Sequence, residues 1–353
     1  MKYSTGRLLV TSLTVCGSLL AISCGGIRFG SGPGPATTNA PEAPDAKPCF
    51  SMETGLMDVW GQKKTGPTQM AISRDGKYLL TLAMANKDNV QVWDLGTKQK
   101  VHGIKTDIGT MHGHIAIADD SKTAAYVQLR PKGAVILFDL VTGNRIRTID
   151  DDRIVSTSPQ RMMFFTPGGT QIALGNKDQI LIWETATGKL KASWSAPGVD
   201  CLTPFFANGT RIASSDRSGN VYIWDVSTGK PIKTLQSGSS SLAITPDERT
   251  LVAQGSGPVK FWDLPNGDLR KDFKEWTGTY QQVVTLAERS VAWPKNDGFI
   301  VCDLETGTKK QDIKTNEPYV TSLAVTPDGR TLLTAATDGL IKGWSVNAQG
   351  LVE

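Results

Sequence analysis

The feature that constrains this chain most is a short stretch that it writes seven times. Its cleanest copy is Val221-Tyr222-Ile223-Trp224-Asp225, followed by a turn that ends at Gly229. The pattern of alternating apolar residues, a bulky anchor and an acid recurs as Val90-Gln91-Val92-Trp93-Asp94, Val135-Ile136-Leu137-Phe138-Asp139 and Ile180-Leu181-Ile182-Trp183-Glu184. It returns as Val259-Lys260-Phe261-Trp262-Asp263, Phe299-Ile300-Val301-Cys302-Asp303 and, in its weakest form, Ile341-Lys342-Gly343-Trp344-Ser345. Anchors at 93, 138, 183, 224, 262, 302 and 344 are separated by 45, 45, 41, 38, 40 and 42 residues. A period near forty is the mark of a repeat array, in which each unit buries its apolar face only by stacking on its neighbours. The 353 residues are therefore read as one large closed unit preceded by a leader.

Each repeat has the same internal plan of four short runs separated by turn signals. The first run ends in Ser73-Arg74-Asp75-Gly76, Thr166-Pro167-Gly168-Gly169, Thr245-Pro246-Asp247-Glu248 or Thr326-Pro327-Asp328-Gly329. Proline presets the first corner of such a turn and glycine accepts positive φ, so these residues are turn chemistry and not a site. A second apolar run follows, as in residues 78–82 and 332–336, and the third is the anchor strand. The fourth opens five residues after the anchor with Gly143, Gly188, Gly229, Gly267 or Gly307. Six residues beyond each glycine stands Ile149, Trp194, Leu235, Phe273 or Ile313, a regularity that assigns Trp194 to packing. The first repeat is expected to shorten this turn, with Gly96 three residues after Trp93.

The ends of the array complete one another. After Trp344 and the turn to Gly350 too few residues remain for a fourth strand, and residues 56–60 have no repeat of their own. An unpaired sheet edge exposes backbone groups. Residues 56–60 are accordingly expected to pair with the last repeat and close the ring.

Ahead of the array, Lys2 and Arg7 precede an uncharged run from Leu8 to Ser23 that is shorter than the roughly 20 residues needed to span a bilayer, as in an export signal. The stretch Leu20-Ala21-Ile22-Ser23-Cys24-Gly25 resembles a bacterial lipobox, which implies lipidation of Cys24; ordinary cleavage and release is the alternative. Residues 1–23 are thus expected to be a signal peptide and 24–48 a lipid-anchored flexible linker. Gly, Pro, Ala, Thr and Asn dominate that linker, which cannot offset its own ordering entropy and reaches on the order of 25 Å. The repeat array is assigned to 49–353. With Cys24 lipidated, Cys49, Cys201 and Cys302 remain, an odd number that excludes a complete disulfide framework. Cys201 and Cys302 fall in strands and read as small buried hydrophobes.

Seven four-stranded units of about forty residues, a Trp-Asp pair ending the third strand and a Pro-Asp-Gly type of turn together resemble the WD-repeat β-propeller family. The resemblance covers residues 56–353. It implies an all-β, seven-bladed β-propeller of four-stranded blades, closed by an N-terminal strand that completes the last blade, and a role in binding. Two departures stand out. The family's Gly-His pair occurs once, at Gly113-His114, and the aspartate of its Asp-His-Ser-Trp network occurs only at Asp338. Strand packing must therefore carry the stability, and a related propeller family of the quinoprotein-like or beacon type stays open.

Little in the chain asks for catalysis. The formal charge of +4 loses Lys2 and Arg7 with the leader, leaving about +2, which is no electrostatic footprint for nucleic acid. His112 and His114 with Asp119 and Asp120 lack a third ligand fixed by spacing, and His102 lies in another strand. No Gly-x-Ser-x-Gly elbow is present; residues 239–241 read as loop filling. Gly255-Ser256-Gly257 sits between strands and opens no helix. Asp150-Asp151-Asp152 reads as a solvated run. No catalytic residue, metal ligand or cofactor is assigned.

Two surface patterns remain. Fourth strands carry Lys98 and Lys100, Arg145 and Arg147, Lys189 and Lys191, Lys230 and Lys233, Arg270 and Lys271, and Lys309 and Lys310. On an outer rim such residues guard exposed edges, or draw the ring toward an anionic membrane or wall polymer. In the sixth repeat the anchor degenerates to Cys302, while aromatics appear where the ladder does not need them. Trp276 is placed in the loop entering that repeat, Tyr280 at the start of its first strand, Trp293 with Lys295 before its second-to-third-strand loop, and Tyr319 in the next entering loop. Aromatics are common interface anchors; Tyr280 and Trp293 packing between blades is the alternative. The expectation is a non-catalytic, monomeric scaffold, exported to the cell envelope and membrane-anchored through its lipid, with periplasmic or secreted release as the alternative. It presents loops around blade six to an envelope protein partner; an envelope enzyme or cofactor-binding propeller is the competing expectation.

Overall fold

In the computed structural model the seven repeats form seven antiparallel sheets of four strands each, the blades of a β-propeller. The structure describes residues 46–353 apart from 58–62, 86, 107–112, 156–161, 207, 237–240, 246, 255–257, 265–266, 278–282, 287–288, 296 and 316–318. Blades one to six span 69–104, 115–150, 163–195, 199–236, 241–277 and 284–314, and in each the strands pair in chain order from the innermost outward. Blade seven takes three strands from 320–345 and its outermost one from Phe50–Glu53. The signal peptide and Cys24 expected from the sequence lie outside the described residues, as does the linker up to residue 45.

The anchor strands fall where the period puts them. Val90–Asp94 is the third strand of blade one, and the other six copies lie within strands that begin one residue earlier. Alternation sends Ala134, Ile136 and Phe138 into one cluster and Val135 and Leu137 into another, so both faces of Ala134–Asp139 are covered and only the terminal acid reaches water. Trp93, Phe138, Trp183, Trp224, Trp262, Cys302 and Trp344 are all buried between blades. Outer strands repeat the ladder read from the sequence, pairing Val135 with Ile149, Ile180 with Trp194, Val221 with Leu235, Val259 with Phe273 and Phe299 with Ile313. Trp194 packs its ring 6.1 Å from that of Trp224.

In four blades the acid ending the third strand holds the following turn. Asp94, Asp139, Asp225 and Asp303 accept the backbone N–H of Thr97, Thr142, Thr228 and Thr306 at 2.7, 2.7, 2.9 and 2.8 Å. Five residues after the anchor the backbone turns left-handed, with φ +74° at Gly143 and Gly188 and +64° at Gly229 and Gly307. Blade one corrects the expected shortened turn. Lys98 takes the glycine's place at φ 62°, its N–H reaches Asp94 O at 2.8 Å, and Ile104 pairs with Val90 as the ladder requires. The turn keeps its length because the bond to the acid's carbonyl fixes it, whatever residue bears the strain.

Ring closure follows the predicted principle through different residues. The closing strand is Phe50–Glu53 and not 56–60, with Phe50 opposite Gly343 and Glu53 opposite Leu340. A Cβ at Gly343 would stand 2.2 Å from the Phe50 ring, so the missing side chain in the weakest repeat is the seat for that ring. Met52 alone of the strand is buried. Leu56 instead buries against Ala83 and Ala85, Met57 bridges to Lys64, and residues 58–60 lie outside the described residues. Beyond Trp344 the chain bridges Val346 to Val352, and Val352 exchanges two buried bonds of 2.7 and 2.8 Å with the Gln311 side chain of blade six.

Candidate interaction face

Two sets of loops lie at opposite ends of the strands. On one face the turn between the first two strands and the turn after the third are tied by the same backbone bond in all seven blades: Leu95 to Lys77, Leu140 to Lys122, Thr185 to Thr170, Val226 to Thr210, Leu264 to Arg249, Leu304 to Arg289 and Val346 to Arg330. The first of these turns is also held by side chains, with Ser73, Thr245 and Thr326 hydroxyls on Asp75, Asp247 and Asp328 at 2.6, 2.5 and 2.6 Å. On the opposite face the second-to-third-strand turns meet the chain passing from one blade to the next. Thr315 N–H reaches Asp297 O at 3.0 Å, and Thr337 N–H reaches Tyr319 O at 3.2 Å.

That second face holds the sequence-derived site, which the structure divides. Tyr319 is 57% exposed and sits at φ 47°, a left-handed conformation that tyrosine rarely adopts. Trp293 lies within the second strand of blade six, Ser290–Lys295, and is 3% exposed. It shares one core cluster with Phe261 and Cys302. A tryptophan there makes up the volume that the small anchor Cys302 leaves between blades five and six, so the alternative expectation, packing between blades, describes Trp293. Lys295 is bound to Asp297 at 3.0 Å and also to Asp312, a network whose carboxylates raise its pKa against the opposing effect of burial. Trp276 is carried by the outer strand of blade five, Asp268–Thr277, and not by the loop after it; its side chain and all of Tyr280 lie outside the described residues.

The remaining candidates resolve into structure. His114 is buried with Gln69 Nε2 3.1 Å from its Nδ1, joining blades one and two. Asp119 faces Arg74 at 3.2 Å and accepts Gly168 N–H at 3.0 Å, while Asp120 caps Thr123. His112 lies outside the described residues, and among those described no three potential ligands cluster. Residues 239–240 and 255–257 also lie outside them. Cys201 and Cys302 are buried and form no disulfide among the described residues, and burial pushes the Cys302 thiol up to about 12.

The run Asp150-Asp151-Asp152 needs correction. Asp151 is half-buried, forks onto Arg153 at 2.6 and 2.8 Å and accepts the indole N–H of Trp183, the anchor of blade three, at 3.1 Å. Hydrogen bonds from Arg153, the largest effect, and then from Trp183 hold its pKa low against the cost of burial. A carboxylate from the preceding linker thus serves the anchor where the expected aspartate is missing. In blades four and seven, Ser214 and Thr334 hydroxyls take Trp224 and Trp344 instead, at 2.8 and 3.0 Å. The spacing rule searched within one repeat and therefore missed the Asp151 bond, which crosses between repeats.

First strands of all seven blades surround a central cavity of about 410 Å³. Ile72, Ile117, Phe164, Ile244, Val284 and Val325 give it an aliphatic and aromatic lining, and Asp119 is its one charged side chain among the described residues.

Comparison with known proteins gives three findings. Residues 187–225 and 307–345 match the family described as WD domain, G-beta repeat. Each matched segment begins at an outer-strand turn and ends with the anchor strand of the next blade, so the sequence repeat straddles two blades. The chain is similar to the small ribosomal subunit protein RACK1 of Medicago sativa, with 28% identity over 141 residues, 39% of this chain and 37% of that protein. With the protein of the same name from Brassica napus it shares 31% identity over an equal span and coverage. The match therefore spans little more than a third of these relatives' length. Among solved structures, a chain in one described as the crystal structure of the mitotic checkpoint complex superposes with a TM-score of 0.71 at 16% identity. That likeness covers 91% of this chain and 98% of that one and shows a shared fold.

Proposed function

We propose that the chain is a non-catalytic, protein-binding scaffold, exported and held at a bacterial membrane by a lipid on Cys24, whose partner is another envelope protein. The ring supplies rigidity through seven repetitions of one packing plan, and rigid scaffolds bind with little ordering cost at the interface. The relatives bear the name of a ribosomal subunit protein and the similar structure is that of a complex, so the likeness runs to members of assemblies. The observation that carries the reading is Tyr319, a large aromatic left 57% exposed in a strained conformation on the face opposite the tied turns. Strain of this kind costs on the order of 1–3 kcal/mol and collects at functional positions.

The partner site centres on Tyr319 at the junction of blades six and seven, with Lys295 and Asp312 as its polar flank and Trp276 and Tyr280 as further anchors. Trp293, buried between blades five and six, is left out of the contact surface. Capture from solubilised envelope, using the parent chain beside Tyr319→Ala, tests this. One protein held by the parent and lost from a Tyr319→Ala variant of equal thermal stability is the expected result. Equal capture by both moves the site elsewhere, and no specific capture by either overturns the scaffold reading. Mass analysis of the mature N-terminus tests the anchor separately, because a lipid on Cys24 adds an acyl mass that Cys24→Ala abolishes.

A further inference from the structure

Six of the seven outer strands carry two features that oppose sheet extension, and the seventh carries neither. In blades one to six the ladder between third and outer strand slips at the anchor: at Val92/Trp93, Leu137/Phe138, Ile182/Trp183, Ile223/Trp224, Phe261/Trp262 and Val301/Cys302. A bulge bends an edge strand and breaks its row of backbone groups. The same strands hold basic residues, among them Lys100, Arg147, Lys191, Lys233, Arg270 and Lys309. Such charges deter a second strand.

Blade seven differs. Its outer strand, Phe50-Ser51-Met52-Glu53, pairs in unbroken register with the anchor strand and contains no basic residue. Ser51 and Glu53 are exposed while Met52 is buried. Thr54 N–H reaches Gly339 O at 3.0 Å, continuing the ladder. The alternation of an antiparallel pair then directs the N–H and C=O of Ser51 and Glu53 away from the blade.

We propose that this strand is a self-association edge, to which the same strand of a second copy adds in antiparallel fashion. A two-fold axis at Met52 sets Ser51 of one copy opposite Glu53 of the other. Both pairs exchange backbone bonds, each serine stands beside a Glu53 carboxylate that Lys64 of its own chain also holds at 2.6 Å, and no like charges stand directly opposite. A second copy suits the edge because the strand is complementary to itself, whereas any other edge of the ring presents a bulge. One such edge per chain closes a dimer and stops there. Four residues a side bury far less than the roughly 1,200 Å² of a stable interface, so the dimer is weak and concentration-dependent. On this proposal the monomer expected from the sequence is the low-concentration state.

Sedimentation velocity of the purified full chain over rising concentration tests the proposal, comparing the parent with Ser51→Lys and Ser51→Pro. Lysine restores the guard found on the other blades, and proline removes one outward N–H without touching the ladder inside. The parent is expected to move toward twice the monomer mass, and both variants to remain monomeric with thermal midpoints like the parent's. A parent that stays monomeric at its highest concentration overturns the proposal, as does association that persists in folded Ser51→Lys.

Discussion

The ammonium group of Lys98 stands 4.2 Å from the centre of the Phe50 ring. A strained turn in blade one thereby touches the strand that completes blade seven, across the junction where the ring closes.

This contact sets two costs against each other. Lys98→Ala removes the cation and keeps a side chain at φ 62°, whereas Lys98→Gly removes the cation and relieves the backbone. Glycine is expected to be the more stable of the two by about 1 kcal/mol. Phe50→Ala, which empties the seat over Gly343, should cost about 2 kcal/mol, below the range for a fully buried phenylalanine because the ring is half-exposed. Urea unfolding midpoints of the three variants check the order; a Lys98→Gly midpoint below that of Lys98→Ala contradicts it.

Asp303 makes the fold acid-sensitive at one turn. Burial raises its pKa, but the Thr306 N–H, the Lys310 ammonium and the Thr306 hydroxyl outweigh it and hold the carboxyl at about 2, against 3.8 when unfolded. A depressed folded value contributes stability that is present above the unfolded pKa and is lost as pH falls from about 4 through 2. The contribution is on the order of 2 kcal/mol. The stability gap between the parent and Asp303→Asn should be constant above pH 5 and shrink toward zero by pH 2, as denaturant titrations at several pH values will show.

Asp151 separates a working carboxylate from its solvated neighbours. Removing it leaves the buried indole N–H of Trp183 and the Arg153 guanidinium without an acceptor, a loss of about 1–3 kcal/mol. Asp150→Ala and Asp152→Ala should each change stability by no more than about 0.5 kcal/mol. Thermal unfolding of the three alanine variants distinguishes them, and equal midpoints would return the run to mere solvation.

Tyr319→Gly should divide stability from binding. The substitution frees a backbone held at φ 47°, so the folded ring should gain up to about 1 kcal/mol, while capture of the partner is lost. A variant that melts below the parent would show that the tyrosine side chain supports the fold.

Most of the ring was legible because one physical rule repeats. Alternation placed Val90–Asp94 to the residue, and the spacing from anchor to glycine placed the outer strands. What escaped notice was whatever depends on a partner outside the repeat. The closing strand presents one core side chain, Met52, and so has no pattern, whereas the apolar residues at 56, 57, 59 and 60 form a conspicuous one. Trp293 looked surplus because its vacancy was created by Cys302 on a neighbouring strand. Asp151 looked idle because its acceptor role belongs to the next blade. Tyr319 was placed on its loop correctly, since a turn position between strands fixes exposure without help from distant residues.

The pairing of Phe50 with Gly343 also has a meaning in time. Cys49 and Gly343, joined at the end of that strand, stand 294 positions apart, and contacts of such separation form slowly because a long loop must close first. During synthesis the strand made first therefore waits, unpaired, until nearly the whole ring has been made. Until then Phe50 and Met52 lack the strand that they pair with.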